Sequence, residues 1–278
     1  MKAYLYGFTD EADASLDGQI AAALRNGLDG VELRSVGGQN VLDLPLSDIA
    51  DIAERLAAAG LSVWSLGSPI GKIGITDDFA PHVERFHRAL EVAQLLGTPR
   101  MRVFSFYVPE GQTPEAYRNA VFERMHVLCE LAAARGVLLC HENEKGIYGD
   151  TAARCAELLS ELPEMGAVFD PANFIQCGQD VWEAWQLLGD RAVYLHVKDA
   201  LLSGRVVPAG AGCGCLREVI ADFRKNGGSA FSVEPHLTVF SGLAALERDG
   251  EKTEVDPYAY PDGHAAFDAA CSALKMLL

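Results

Sequence analysis

Residues 137–144 read VLLCHENE, four apolar residues suited to a buried strand followed at once by His141, Glu142, Asn143 and Glu144. The pattern recurs three times downstream. GAVF (166–169) runs into Asp170, AVYL (192–195) into His196, Val197, Lys198 and Asp199, and AFSV (230–233) into Glu234, Pro235 and His236. The successive Glu, Asp, His and Glu are 28, 26 and 38 residues apart, each about one strand plus one helix. Short apolar strands alternating with helical stretches specify a parallel sheet with crossover helices.

The same rhythm extends back to the N-terminus. Strands are expected at Ala3–Phe8, Gly30–Leu33, Leu61–Leu66 and Arg100–Phe106. Helices are expected at Ser15–Asn26, with Ser15 as N-cap and Gly27 as stop, at Leu46–Ala59, at Asp78–Leu96, and from Thr113 to Arg135 with Pro114 in the first turn. Further helices follow at Asp150–Leu162, Val181–Leu188 and Leu216–Lys225, and a last one ends the chain. Eight strand–helix units in 278 residues predict an α/β fold, a single-domain (β/α)8 TIM barrel over residues 1–278, with a doubly wound open sheet as the alternative. The polar segment 236–263 after strand eight is long for a βα loop, and reads as a lid or a mobile excursion.

Composition narrows the function classes. Apolar residues make up 49% and charged residues 22%, which suits a domain with a sizeable core. Thirty-nine acids against 23 bases give a net charge of −16, which argues against nucleic acid as the main partner. No apolar run approaches the length of a membrane-spanning helix, and a membrane partner is not expected. The N-terminal MKAYLYGFTDEAD turns acidic at Asp10 and lacks the features of a signal peptide. Seven scattered cysteines form no CxxC pair, consistent with reduced thiols and a cytoplasmic location.

In a barrel of this kind the active site lies at the C-terminal ends of the strands. Glu142, Asp170, His196 and Glu234 would then converge on one rim, and three carboxylates beside one imidazole repel one another without a cation. A divalent metal resolves this, and oxygen-rich ligation with one nitrogen favours Mn²⁺, Mg²⁺ or Co²⁺ over a structural zinc. Taken singly, each residue has a plainer reading. Asp170 before Pro171 suits a turn or a helix N-cap, and a histidine in an apolar strand is usually a core residue.

The motifs LCHENE, VFDPANF, LHVKDA, RVVPAGAG and SVEPH, in that order, resemble the xylose-isomerase-like TIM-barrel superfamily of ketose 3-epimerases, hydroxypyruvate isomerase and inosose dehydratase. The resemblance implies one divalent ion, Mn²⁺ first with Mg²⁺, Co²⁺ and Zn²⁺ as the other candidates, held by Glu142, Asp170, His196 and Glu234. It implies that Arg205 contacts substrate. Asn173 stands where the epimerases often carry a substrate-touching histidine. Homo-oligomers are frequent in this superfamily.

Glu142 and Glu234, on strands separated by two others, should flank the ion as an acid/base pair. They would carry a small sugar or sugar acid through an enediolate to its epimer or isomer. A dehydratase or lyase acting on a polyol ketone is the neighbouring alternative, and a non-catalytic sugar-binding subunit the alternative from another class. An apurinic endonuclease, which builds a multi-zinc cluster from additional histidines, fits neither the seven histidines nor the charge. Lys198 and His236 are further substrate-binding candidates, alongside Asn143 and Glu144. Arg34 and Lys72 read better as solvated rim charges than as anion ligands, and Trp64 better as core than as a sugar platform, a role Tyr107 suits. The glycine-rich GAGCG near 210 precedes a helix, as anion-cradling loops do, without the Lys-Ser/Thr of a P-loop.

Overall fold

The computed structural model describes residues 2–240 and 260–278. Eight parallel strands, β1 (Tyr4–Gly7), β2 (Gly30–Leu33), β3 (Ser62–Leu66), β4 (Arg100–Val103), β5 (Leu138–Glu142), β6 (Gly166–Phe169), β7 (Ala192–Val197) and β8 (Ala230–Val233), pair in the order β1-β8-β7-β6-β5-β4-β3-β2. The open seam between β1 and β2 is held by the Asp29 N–H, which donates to the Leu5 carbonyl at 2.7 Å, and by the Leu5 N–H, which donates to the Asp29 carboxylate at 2.9 Å. The expected barrel is therefore present, nearly closed. Around it lie α1 (Leu16–Arg25), α2 (Leu46–Ala58), α3 (Ala80–Leu95), α4 (Arg118–Ala133), α5 (Ala152–Glu161), α6 (Pro171–Gln176), α7 (Val181–Leu188), α8 (Leu216–Lys225) and α9 (Gly263–Leu277). Ser15 caps α1 as its sequence position predicts, its Oγ accepting the Gly18 N–H at 3.1 Å.

Alternation along the strands divides the barrel interior into two levels. At the N-terminal end Tyr6, Cys140, Val168, Tyr194 and Ala230 form an apolar plug, with Trp64 packed against it. Further along the strands the inner face turns polar, with Ser65, Arg102, Glu142, Asp170, His196, Ser232 and Glu234 all buried. Two irregularities set this phase. Val31 pairs with Val63 but Glu32 with Ser65, which makes Trp64 an extra residue in β3. Ala167 pairs with Ala192 but Val168 with Tyr194, which makes Val193 extra in β7. Each bulge re-aims the residues that follow it, and the second one turns Tyr194 and His196 into the barrel. Trp64 stacks on Tyr6 at 4.7 Å, in agreement with the core reading and at the end of the barrel remote from the acids.

Three elements differ from the sequence expectation. β4 stops at Val103 rather than Phe106, because residues 104–107 leave the sheet to pair with the loop after β3. There the Phe104 N–H donates to Ile70 O at 2.8 Å and the Phe106 N–H to Gly71 O at 3.0 Å. Gly71 (φ +90°) is required at this crossing, since a Cβ would lie 2.0 Å from the Phe104 carbonyl oxygen. The helix expected from Thr113 begins as a 3₁₀ turn, Pro114–Tyr117, and becomes regular only at Arg118. The short helix α6 was not anticipated. The expected lid, residues 236–263, falls mostly on 241–259, outside the described residues. No helix among the described residues is long and apolar enough to cross a membrane.

The loop after β3 is also tied down by His82 of α3, which accepts the Gly71 N–H through Nε2 at 2.9 Å. Burial, reinforced by Arg85 and Arg124, lowers the His82 pKa to about 4. The unfolded chain, titrating near pH 6.5, takes up this proton first. Stability from the neutral ring is thus complete above pH 6.5 and lost as pH falls towards 4. The stability gap between wild type and His82→Gln, read from urea midpoints, is expected to narrow by about 3 kcal/mol at most over that range; a gap independent of pH would contradict a buried neutral His82.

Candidate metal centre

Glu142 is the last residue of β5, Asp170 and Glu234 follow directly on β6 and β8, and His196 sits one residue before the end of β7. One ligand atom from each lies within 4.8 Å of all the others. His196 Nδ1 is the hub, 3.0 Å from Glu142 Oε1, 3.5 Å from Glu234 Oε2 and 3.8 Å from Asp170 Oδ2. Asp170 serves twice. Its Oδ1 caps α6 by accepting the Asn173 N–H at 3.0 Å, as the turn reading anticipated, while Oδ2 faces the hub.

The first half of the barrel supplies cations and phenyl rings. Arg34, after β2, grips Asp10 through Nε at 2.8 Å and Nη2 at 3.0 Å, reaches Glu11 at 3.1 Å, and extends Nη1 to Glu234 Oε1 at 3.4 Å. Arg102 of β4 stands between the two glutamates, Nη1 lying 3.2 Å from Glu142 Oε2 and 3.6 Å from Glu234 Oε1. Rings and cations alternate along this side: Phe240, Arg34, Phe8, Arg102, Phe104 and Lys72 follow one another at 4.4–5.1 Å. The solvated-rim reading of Arg34 and Lys72 is thereby corrected. Arg34 is 2% exposed, and Lys72 pairs with Glu144 at 2.9 Å. In both cases neighbouring carboxylates and phenyl faces replace the water.

Lys198 is buried, its Nζ 2.8 Å from Asp170 Oδ2 and 2.9 Å from Glu234 Oε2. Asn173 donates from Nδ2 to Glu142 Oε1 at 3.3 Å and to Asn143 O at 2.9 Å, while Asn143 and Asp170 exchange two hydrogen bonds. His236, in the left-handed region at φ 44°, is anchored by its N–H on Glu11 Oε2 at 2.7 Å, its Nε2 3.8 Å from Glu234 Oε1. Arg205 is exposed on the loop between β7 and α8. Tyr107 links the loops after β3 and β5 through backbone bridges to Gly74 and Ile147.

The glycine-rich loop cradles an anion of the chain's own. The Asp199 carboxylate accepts the N–H groups of Ala200, Gly210, Gly212 and Gly214 at 2.8–3.0 Å. A Cβ on Gly212 would come within 2.4 Å of Asp199 Oδ1. The expectation of an external anion there is replaced by this internal one.

Glu32, Arg102, Asp10 and Glu11 are the site residues that sequence reading passed over. For Glu32 and Arg102 the signal is present in GVEL and RMRV, where a charged residue sits inside a short strand; Asp10 and Glu11 lie in a 3₁₀ turn and carry no such mark.

Charge decides what the centre can hold. Six buried carboxylates (Asp10, Glu11, Glu32, Glu142, Asp170, Glu234) face three permanent cations, Arg34, Arg102 and Lys198. Burial pushes Glu11 up to about 8 against the pull of Arg34, so that it is protonated at neutral pH. Burial opposes ionisation of Glu142 as well, but His196 and Arg102 bring it down to about 2. Burial likewise opposes charge on His196, yet Glu142 and Glu32 hold its pKa well above the ordinary value. In the metal-free protein the His196 imidazolium offsets one of the two excess negative charges among the described residues; an ion bound through Nδ1 would displace that proton and leave two uncompensated charges in a dry interior. Glu142 Oε2 and Asp170 Oδ2, moreover, accept no hydrogen bond from the described residues, their cationic neighbours standing at ion-pair distance without hydrogen-bond geometry. Three carboxylates, one imidazole, two orphaned oxygens and a deficit of two charges fit a divalent ion.

Fold and site together define a TIM barrel with a buried carboxylate–histidine centre at the C-terminal ends of β5 to β8. The sequence model of the xylose isomerase-like TIM barrel family matches residues 20–249, and the chain belongs to that family. Among curated proteins it is 21% identical over 182 residues to the 3-dehydroshikimate dehydratase of Bacillus anthracis, a match spanning 65% of each chain. Among solved structures it superposes on an L-ribulose 3-epimerase with a TM-score of 0.74, at 20% identity over 100% of this chain and 95% of that one. It superposes on the IolI protein with a bound zinc atom with a TM-score of 0.75, at 16% identity over 100% and 98%. These likenesses carry the fold; the chemistry is argued from the residues.

Proposed function

We propose that the chain is a divalent-metal-dependent isomerase or epimerase of a small sugar or sugar derivative, with Glu142 and Glu234 as its acid/base pair. One observation carries this reading: the two glutamates are split in the same way. Glu142 turns Oε1 to His196 (3.0 Å) and Oε2 to Arg102 (3.2 Å); Glu234 turns Oε2 to His196 (3.5 Å) and Oε1 to Arg102 (3.6 Å). Each therefore has one oxygen for a cation and another for a proton. Glu142, Asp170, His196 and Glu234 would hold the ion, Mn²⁺ first with Mg²⁺, Co²⁺ or Zn²⁺ as alternatives, which when bound polarises a hydroxy-ketone and stabilises negative charge on its oxygens.

Glu142 and Glu234 approach from the β5 and β8 sides, so one takes the proton from carbon and the other returns it. Return to the opposite face is epimerisation; return to the neighbouring carbon is isomerisation. Against the cost of burial, His196 and Arg102 keep Glu142 ionised and Lys198 chiefly does so for Glu234, with Arg102 standing between the two. Asn173 fixes the Glu142 oxygen that faces His196, and Lys198 the corresponding oxygen of Glu234. His236, and Arg205 on its loop, are assigned to substrate. The substrate is a small molecule, the expected location cytoplasmic, and a homo-oligomer is compatible with the reading.

Elimination of water from the same enediolate is the second reading, favoured by Lys198, whose ammonium lies 2.9 Å from Glu234 and can protonate a departing hydroxyl. The test is product analysis with Mn²⁺-loaded protein on ketoses, inosose, hydroxypyruvate and 3-dehydroshikimate. An isomeric product abolished by chelation supports the proposal, and loss of water supports the second reading. Metal and sugar binding without turnover on any of them would instead mark a sugar-binding subunit.

A further inference from the structure

We propose that Glu32 is a positioning residue that fixes the orientation and tautomer of His196, so that Nδ1 is the nitrogen presented to Glu142, Asp170 and Glu234. The inference rests on the metal reading above. Glu32 projects from β2, across the barrel from β7, and is 1% exposed. Its Oε2 lies 3.0 Å from His196 Nε2, and its Oε1 accepts the Tyr194 hydroxyl at 2.6 Å. Tyr194 precedes His196 by two residues on the same inner face and also lies 3.3 Å from Ser65 Oγ. The carboxylate is thus held at both oxygens by β7, the strand it serves, while Ser65 of β3 steadies the Tyr194 hydroxyl.

An ionised carboxylate only accepts, so a hydrogen bond to Glu32 requires the proton on Nε2. In a neutral imidazole the lone pair is then on Nδ1, the atom closest to the three acids. The ring has no second comfortable orientation. Phe8 and Tyr194 meet it edge-on, with centroids at 5.3 and 5.5 Å. Turning it over would aim a C–H at Glu32 and leave a buried carboxylate unsatisfied. The bulge at Trp64 brings Glu32 into register with Ser65, where it can reach both partners. Carboxylate partners of this kind also raise the basicity of a metal-binding imidazole, and their loss typically weakens metal binding about 10- to 100-fold.

The test is Zn²⁺ titration of protein labelled with ¹⁵N in histidine, followed by calorimetry and by the ring ¹⁵N–¹H correlations. Loaded wild type is expected to show His196 as the Nε2–H tautomer with Nδ1 metal-bound. Glu32→Gln is expected to bind Zn²⁺ about 10- to 100-fold more weakly and to lose the uniform tautomer. Unchanged affinity and ring signals in Glu32→Gln overturn the Glu32 assignment alone, whereas a wild type that takes up no Zn²⁺ overturns the metal reading and this one with it. Should Glu32→Gln fail to fold, Tyr194→Phe keeps the ring and the carboxylate but removes one clamp. Binding about 3- to 10-fold weaker is then expected, the equivalent of one buried hydrogen bond, and unchanged binding overturns the assignment.

Discussion

Replacing Glu142 or Glu234 by Gln is expected to lower turnover by at least about 10³-fold, within the range for loss of a positioned acid or base. The substitution keeps shape and some capacity to bind, since an amide oxygen can still face His196, but it removes the oxygen that exchanges a proton. The two variants should differ in a second respect. Both face His196 and Arg102, but Glu234 also contacts Arg34 and Lys198, whereas Glu142 also contacts the neutral Asn173. Glu234→Gln therefore strands more positive charge and should unfold at the lower temperature. Steady-state kinetics and a melting curve for each variant check both statements, and full activity in both would end the assignment of the pair.

Arg102→Met is expected to cost about 3–5 kcal/mol of stability, the usual penalty for removing one partner of a buried charge network. That corresponds to a fall in melting temperature on the order of 10 °C for a chain of this size. Glu142 Oε2 would lose the only cation described beside it, and Glu234 Oε1 one of its two guanidinium neighbours. The double variant Arg102→Met/Glu142→Gln should recover part of the loss, because the amide needs no counter-charge, and this non-additivity is the signature of a direct interaction. Purely additive losses in chemical denaturation would place the effect of Arg102 elsewhere.

The second half of the barrel was legible because its chemistry is written at strand ends. β6, β7 and β8 fall on the residues expected, and Glu142, Asp170, His196 and Glu234 converge as the common rim position requires. The first half was harder for a physical reason. Its contribution is electrostatic support from side chains inside strands or in a 3₁₀ turn: Glu32 and Arg102 sit within β2 and β4, and Asp10 and Glu11 in Thr9–Glu11. A charge in a strand reads as solvent-facing unless the phase of the strand is known, and in β2 and β3 that phase depends on the bulge at Trp64. The Asp199 cradle was hidden likewise, because a glycine-rich loop shows that something approaches its backbone without showing that the visitor is eleven to fifteen residues away in the same chain.

Proton NMR of Mg²⁺-loaded protein with candidate ketoses in D₂O tests the central claim most directly, since it reads carbon–hydrogen bond breaking whichever way the intermediate then collapses. The account predicts solvent deuterium at a single carbon next to the carbonyl, dependent on the ion and absent in Glu142→Gln and Glu234→Gln. Turnover that proceeds with no deuterium in substrate or product, or exchange that survives both substitutions, would contradict it.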